Sequence, residues 1–302
     1  MKIFLTGGTG VVGTRAVPAL VAGGHDVTAV ARGEAKAHLV RSMGAAPVAV
    51  DLFDPDQVKA AVTGHDVVVH LATSIPPLSK ASGKDAWTMN DRLRREASAH
   101  MVDAALAAGA SRYVQESICF PYVDAGDRWI DEDAAIDFGP AAFSGAGTAE
   151  SATARFASGG GAGVVLRFGQ FYASDSTHTR TFTRSVRWHI NPFIGAPDAY
   201  SSFIHADDAG SAAEAALRAS SGIYNVSDDE PLTRVDAGRA VATALGKRRP
   251  LMLPRVLQAL APASAKPLAK SLRISNARFK ASTGWAPAHP SIRGSWPGKV
   301  DA

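Results

Sequence analysis

A glycine-rich turn between an apolar strand and a helix, strand–helix alternation over the first 167 residues, and a strand with no polar face predict an α/β fold. The expected architecture is a Rossmann-type doubly wound parallel sheet with a smaller, discontinuous C-terminal substrate lobe. The turn reads Thr6-Gly7-Gly8-Thr9-Gly10-Val11-Val12-Gly13 and directly follows Ile3-Phe4-Leu5. Such a turn lets backbone approach a pyrophosphate, and the helix behind it presents free N–H groups and the positive end of its dipole. In this strand-to-helix context it predicts dinucleotide binding through Gly7, Thr9, Gly10, Val11, Val12 and Gly13.

Residues 2–6 form the first strand, and a helix over 11–22 ends at Gly23-Gly24, which tolerate the left-handed conformation. Further strands are expected at 26–30, 48–50 and 66–70. The last carries Val67-Val68-Val69, the continuous apolar run of a strand buried on both faces. A long helix should cover 85–108 and stop at Gly109 before a fifth strand at 112–116. A helix at 147–157 ends at Gly159-Gly160-Gly161 and leads to a sixth strand at 164–167. Beyond Arg167 the pattern loosens into a strand at 200–205, a helix at 206–219, a strand at 223–226 and a helix at 233–245. Pro250, Pro254, Pro262 and Pro267 then punctuate an irregular end. Residues 1–167 with about 206–226 are expected to form the dinucleotide-binding domain, and 168–205 with 227–302 the substrate-binding lobe.

The chain has 302 residues, 46% hydrophobic and 20% charged, which is an ordinary globular balance. It has no apolar run of about 18 residues, so no membrane contact is expected. Met1-Lys2-Ile3 enters a strand without a signal-peptide layout, and Cys119 has no second cysteine to pair with. Both point to the cytoplasm. A net charge of +4, from 32 Lys and Arg against 28 Asp and Glu, is too mild to imply nucleic acid. Basic residues gather near the C-terminus, Lys270 among them, and read as a solvated face.

These residues resemble the extended short-chain dehydrogenase/reductase family, the NAD-dependent epimerase/dehydratase group, nearly end to end. Thr6–Gly13 matches its glycine signature, and Asp51-Leu52 its adenine-contacting pair. His70-Leu71-Ala72 matches the segment after the fourth strand, and Asn90 an asparagine of the fourth helix. The stretch from Leu166 to Tyr172 resembles the loop that passes the nicotinamide. The resemblance implies cofactor contacts from Asp51, Leu52, Leu71, Ala72, Thr73, Phe168 and Gln170. It also implies a small-molecule substrate and a possible homodimer through the helix near 85–108.

The choice of nicotinamide turns on the end of the second strand, where an acidic residue would grip the ribose of NAD. Here it reads Ala31-Arg32-Gly33. A guanidinium at Arg32, with Lys36 adding charge, suits a 2′-phosphate and favours NADP. Glu34 reaching the ribose instead would favour NAD.

The family's proton relay is a serine with a Tyr-x-x-x-Lys pair, in which the lysine cation lowers the pKa of the tyrosine. Ser117 stands where the serine belongs. Ala142 and Ala146 fall in the tyrosine and lysine places. None of the five tyrosines has a lysine four residues on, and no lysine occurs between Lys84 and Lys247. The candidate catalytic residues are therefore Ser117, Tyr122 on the following loop, and His178 after the sixth strand. Trp129, Phe138, Phe143, Phe171, Phe182 and Trp188 are candidates to line an apolar cleft. No metal spacing appears among the nine histidines. These observations favour an atypical NAD(P)-dependent oxidoreductase or epimerase. The alternatives are a non-redox cyclase, isomerase or lyase on the same scaffold, or an NmrA-like nicotinamide-binding regulatory protein.

Overall fold

The computed structural model describes residues 1–76, 83, 85–254, 256, 258 and 268–298. The strands are β1 Lys2–Thr6, β2 Asp26–Val30, β3 Ala46–Val48, β4 Val67–His70, β5 Arg112–Ile118, β6 Trp129–Ile130 and β7 Ala162–Phe168. They continue with β8 Gln170–Tyr172, β9 Tyr200–Ser201, β10 Phe203–His205, β11 Gly222–Val226, β12 Leu232–Thr233 and β13 Arg273–Ile274. Among the described residues, seven strands form one parallel sheet in the order β3-β2-β1-β4-β5-β7-β11. The strand order turns back on itself beside β1, the topological switch point where such sheets bind ligands.

Period-two alternation assigns each side chain to a face. Ile3, Leu5, Val67 and Val69 point to one core, under α1 (Gly13–Ala22) and beside Ala209, Ala212 and Ala213. Phe4 and Val68 point to the other, with Val58, Met101, Tyr113 and Phe156. That second face is covered by α3 (Pro55–Val62), reached after α2 (Glu34–Ser42), and by the long helical stretch that follows β4. The long stretch begins as α4 (Thr88–Arg92) and ends as α5 (Ser98–Ala107). Sequence periodicity predicts one unbroken helix there, but residues Leu93–Ala97 widen into a π turn. The π turn carries the buried Arg94, whose Nη2 donates to both Glu116 carboxylate oxygens at 2.7 and 2.9 Å. Glu116 thus faces away from its neighbour Ser117, as strand alternation requires.

Several boundaries differ from the expectation. The third strand is Ala46–Val48, two residues earlier than 48–50. Its register on β2 pairs Ala29 with Pro47, and an edge strand tolerates a residue with no N–H to donate. The helix expected at 147–157 extends from Ala141 to Ser158 and is labelled α6. The single strand expected at 200–205 is divided at Ser202. Tyr200–Ser201 pairs antiparallel with β12 and Phe203–His205 pairs parallel with β8. The Ser202 hydroxyl at the break donates to Leu272 C=O and accepts from the Ile274 amide.

A third core, outside the large sheet, joins Tyr172, Phe203, Leu232 and Trp296 to Phe182 and Val186 of α7 (Thr177–Arg187). After it come α8 (Ala206–Ala215) and α9 (Arg234–Ala244). No helix of the described residues is long and apolar enough to cross a membrane.

His70 ties β4 to β1 beneath the glycine turn, its Nδ1 lying 2.5 Å from Thr6 Oγ1. Full burial pushes its imidazole down from the ordinary 6.5 to about 4. Between those values the unfolded chain binds more protons than the folded one. Stability is therefore complete above the unfolded pKa and is lost as pH falls from 6.5 toward 4. Denaturant unfolding at about pH 7.5 and about pH 4.5 should show wild type losing roughly 2–3 kcal/mol more than His70→Gln across that interval.

Candidate functional site

The site begins at the carboxyl end of β1. Gly7 has φ +79°, and a Cβ there would lie 2.5 Å from the carbonyl carbon of Leu71. A Cβ at Gly13 would lie 2.0 Å from the Gly7 oxygen. The turn therefore folds onto itself and onto the chain leaving β4, at a distance only glycine permits. No side chain caps α1; the Thr14, Arg15 and Ala16 amides turn back onto the Gly10 and Val12 carbonyls, which leaves the amides of Val11, Val12 and Gly13 at the mouth of the turn for an anionic group, as where helix N-termini hold phosphates. A cradle with no room for a Cβ and uncapped amides fits the pyrophosphate of a dinucleotide. Thr9 and Val12 are half-buried around it, and Gly10 and Val11 are exposed.

Arg32, just past β2, and Lys36, one turn on, are exposed and have no ion pair among the described residues. Glu34, the competing ribose ligand, pairs with Arg41 at 2.7 Å. Arg15 is also committed, bonding Asp175 at 2.8 Å and Asp207 at 3.1 Å. On the next turn the Asp51 carboxylate accepts the Phe53 amide, and His100 Nδ1 lies 3.1 Å from Leu52 C=O. Leu71, Ala72 and Thr73 leave β4 directly beneath the glycines. The following Ser74 amide donates to buried Asn90. Phe168 is sealed in the core and reaches the site only through its backbone, its carbonyl accepting the Cys119 amide.

The catalytic candidates separate. Ser117 is buried and donates to Glu150 Oε1 at 2.7 Å. Glu150, on α6, holds Arg167 of β7 through two bonds of 2.9 and 2.6 Å. Arg167 Nη1 donates to the Tyr122 hydroxyl at 2.7 Å, which donates to Asn225 Oδ1 at 2.9 Å. Ser117 and Tyr122 thus belong to one buried polar network that also contains an ion pair. Burial pushes both the Tyr122 phenol and the Cys119 thiol up. His178 lies apart, half-buried in the first turn of α7, where burial lowers its pKa. In the relay places, Ala142 is half-buried and Ala146 is fully buried against Ile118 and Phe143.

A cavity of about 300 Å³ opens beyond the carboxyl ends of β5 and β7. Its wall includes Cys119, Phe120, Gly169, Gln170, Phe182 and Phe193. Of the six aromatics expected in the cleft, Phe182 is there, whereas Trp129 and Trp188 are 52% and 75% exposed. Two cations also line it, Arg234 and Lys270. Sequence reading assigned Lys270 to a solvated basic face. The structure instead lays its Nζ on the carbonyls of Phe120 (3.2 Å) and Tyr122 (2.9 Å), 5.6 Å from the Phe143 ring centre. No local spacing announces this, because the contacts span about 150 residues of chain.

Among the described residues one His/Asp group, His205, Asp207 and His289, gathers its ligand atoms within 4.8 Å of one another. The two imidazoles stack at 3.9 Å with their planes 26° apart, so their in-plane lone pairs run side by side rather than converge on one ion. His205 meanwhile caps α8, its Nδ1 accepting the Asp207 amide.

Comparison with known proteins follows the same geometry. The NAD(P)H-binding family matches residues 7–140. The chain is 33% identical, over 97% of its own length and 98% of the other's, to a 3-diazoavenalumate denitrifying reductase from a Streptomyces species. Among solved structures it is similar to the human epimerase family protein SDR39U1 with NADPH (TM-score 0.77, 21% identity, 98% of each chain). It is also similar to a UDP-glucose 4-epimerase of Thermus thermophilus with NAD (TM-score 0.74, 23% identity, 97% of each chain). At such identities the structural likeness speaks for the fold alone.

Removing one half of the buried ion pair should cost far more than removing both. Glu150→Ala leaves Arg167 charged and Ser117 without its acceptor, and should destabilise the fold by about 3–5 kcal/mol in denaturant unfolding. The double variant Glu150→Leu/Arg167→Met should recover a large part of that loss.

Proposed function

The chain belongs to the extended short-chain dehydrogenase/reductase family, and from that premise we propose that it is an NADP-linked reductase of a small molecule, working without the family's tyrosine–lysine relay. One observation carries this reading: a complete glycine cradle stands beside a helix whose relay places hold Ala142 and Ala146. The full-length relative is named a reductase, which favours reduction over epimerisation. Unpaired Arg32, with Glu34 already held by Arg41, supports NADP over NAD.

Bound in this cradle, the dinucleotide supplies a hydride. The chain's own residues bind and orient it. The amides ahead of α1 would hold the pyrophosphate, Arg32 would pair with the 2′-phosphate, and the Gly169-Gln170 turn, which lines the cavity, would separate it from the cofactor. What the chain lacks is a phenol in the tyrosine place. Reduction of a ketone leaves an alkoxide that must be protonated, which is the work of that phenol. An acceptor that loses a stable leaving group creates no alkoxide and has no need of it. The relative's name specifies a diazo compound and denitrification, an acceptor of this kind. A substrate whose electrophilic centre accepts the hydride as a stable neutral group departs with the bonding pair, rather than a ketone, is the reading that suits the alanines at 142 and 146.

Isothermal calorimetry should find NADPH bound more tightly than NADH, and Arg32→Ala should lose about ten- to a hundredfold in NADPH affinity while leaving NADH unchanged. Nicotinamide absorbance should report turnover with 3-diazoavenalumate as probe and none with a panel of simple ketones. Tighter binding of NADH, or turnover confined to ketones, would count against the proposal.

A further inference from the structure

The cavity beyond β5 and β7 is mostly apolar, yet two of its lining residues are cations without a salt bridge among the described residues. Arg234 is 1% exposed. Its Nη2 donates to the carbonyls of Leu268 and Lys270, and its Nη1 is buried with no partner. Burial pushes its guanidinium down to about 10. Lys270 spends two of its three ammonium protons on Phe120 and Tyr122 carbonyls. The carboxylates whose fields reach these cations are Asp124, Asp137 and Asp198. None lies within salt-bridge distance, and two are occupied by backbone. Asp124 holds the Gly126 and Ser271 amides, and Asp137 holds the Gly139 amide. Positive charge set into an apolar wall without an internal counterion is costly unless something else neutralises it.

We infer that this cavity is built for a small planar carboxylate, with the free proton of Lys270 Nζ directed at the acid group and the charge of Arg234 behind it. The inference deepens the reductase reading by naming the substrate class of the same site. Size points the same way. About 300 Å³ is at the lower end for ligand pockets. It has room for one ring with a short side chain. Phe120, Phe182, Phe193 and Leu272 supply flat apolar walls for the ring. The acid group end is fixed by Lys270, which stands over Phe143, next to Ala142. The cation thus stands beside Phe143 of α6 and the loop after β5, and it arrives from the opposite end of the chain.

Cinnamate and its neutral counterpart cinnamamide separate charge recognition from shape. Calorimetric titration into the full chain, with and without NADPH, should show the acid binding at least about tenfold more tightly than the amide. Lys270→Met should bring the acid down to the level of the amide while NADPH affinity stays within about twofold, and Lys270→Arg should restore part of the preference. Equal affinity for acid and amide in the wild type, binding of neither, or an undiminished preference in Lys270→Met overturns the inference. A preference that persists without any NADPH binding, and that Lys270→Met removes, would instead leave this inference standing and bring down the cofactor reading alone.

Discussion

The buried pair of Glu150 and Arg167 is the interaction on which the active-site half of this molecule depends. It joins α6 to β7, and through Ser117 and Tyr122 it reaches β5, the loop behind it and Asn225 of β11. Both charges are nearly sealed from water, with side-chain exposures of 8% for Glu150 and 4% for Arg167. Such a pair persists only when its remaining hydrogen-bonding capacity is used. Here Ser117, Tyr122 and Asn225 use it. The network therefore fixes four elements at the carboxyl edge of the sheet in one arrangement, and the cavity wall at Cys119, Phe120 and Gly169 is built on that edge. The serine and the tyrosine that sequence reading offers as proton carriers, Ser117 and Tyr122, are both members of this brace.

The cofactor half of the fold was legible because its determinants are local. A residue type, a φ angle and a spacing of three between Gly7, Gly10 and Gly13 state the turn, and the apolar runs on either side state the strand and helix. The alternation of Glu116 and Ser117 was legible for the same reason. The π turn at Leu93–Ala97 was not, since a single widened turn leaves the 3.6-residue periodicity nearly intact on either side. The edge strand was misplaced by two residues because Val48–Val50 are β-branched or small, while the pairing with β2 prefers Ala46–Val48. The least legible feature was Lys270. Its neighbours in space, Phe120, Tyr122 and Phe143, are more than a hundred residues away in sequence. Only closure of the C-terminal segment over β6 brings them together, through the β13 pairing and the Ser271 contacts with Asp124 and Gly126. A basic residue in a basic neighbourhood carries no sign of that closure.

This difference has a physical basis. A nucleotide cradle needs backbone close approach, which a short motif can encode. A substrate pocket needs side chains from several directions, and this one draws on the loop after β5, the β7–β8 turn, α7, α9 and the segment before β13. Each contributes one to three residues with no internal pattern. The sequence therefore speaks clearly about what is held by main chain and faintly about what is held by side chain.

The position of the charge follows from the same construction. In the relay arrangement that the family resemblance implies, a lysine one turn along α6 would act on a neighbouring tyrosine and on the cofactor ribose. In this chain α6 instead packs tightly along that face. A Cβ at Gly145 would meet Asp91 Oδ1 at 2.6 Å, one at Gly147 would meet the Phe138 ring at 2.8 Å, and Ala146 is fully buried. A long polar side chain at 146 has no space to extend without displacing Ile118 of β5 and Phe143, against which Ala146 packs. The cation of the site consequently enters from the other wall, anchored by carbonyls rather than by a phenol. An ammonium held by two carbonyl oxygens has one N–H left over, and it is better suited to gripping an anion than to tuning a neighbouring acid. On the proposed reading, with alanines in both relay places on α6, binding by charge is what Lys270 adds to this pocket.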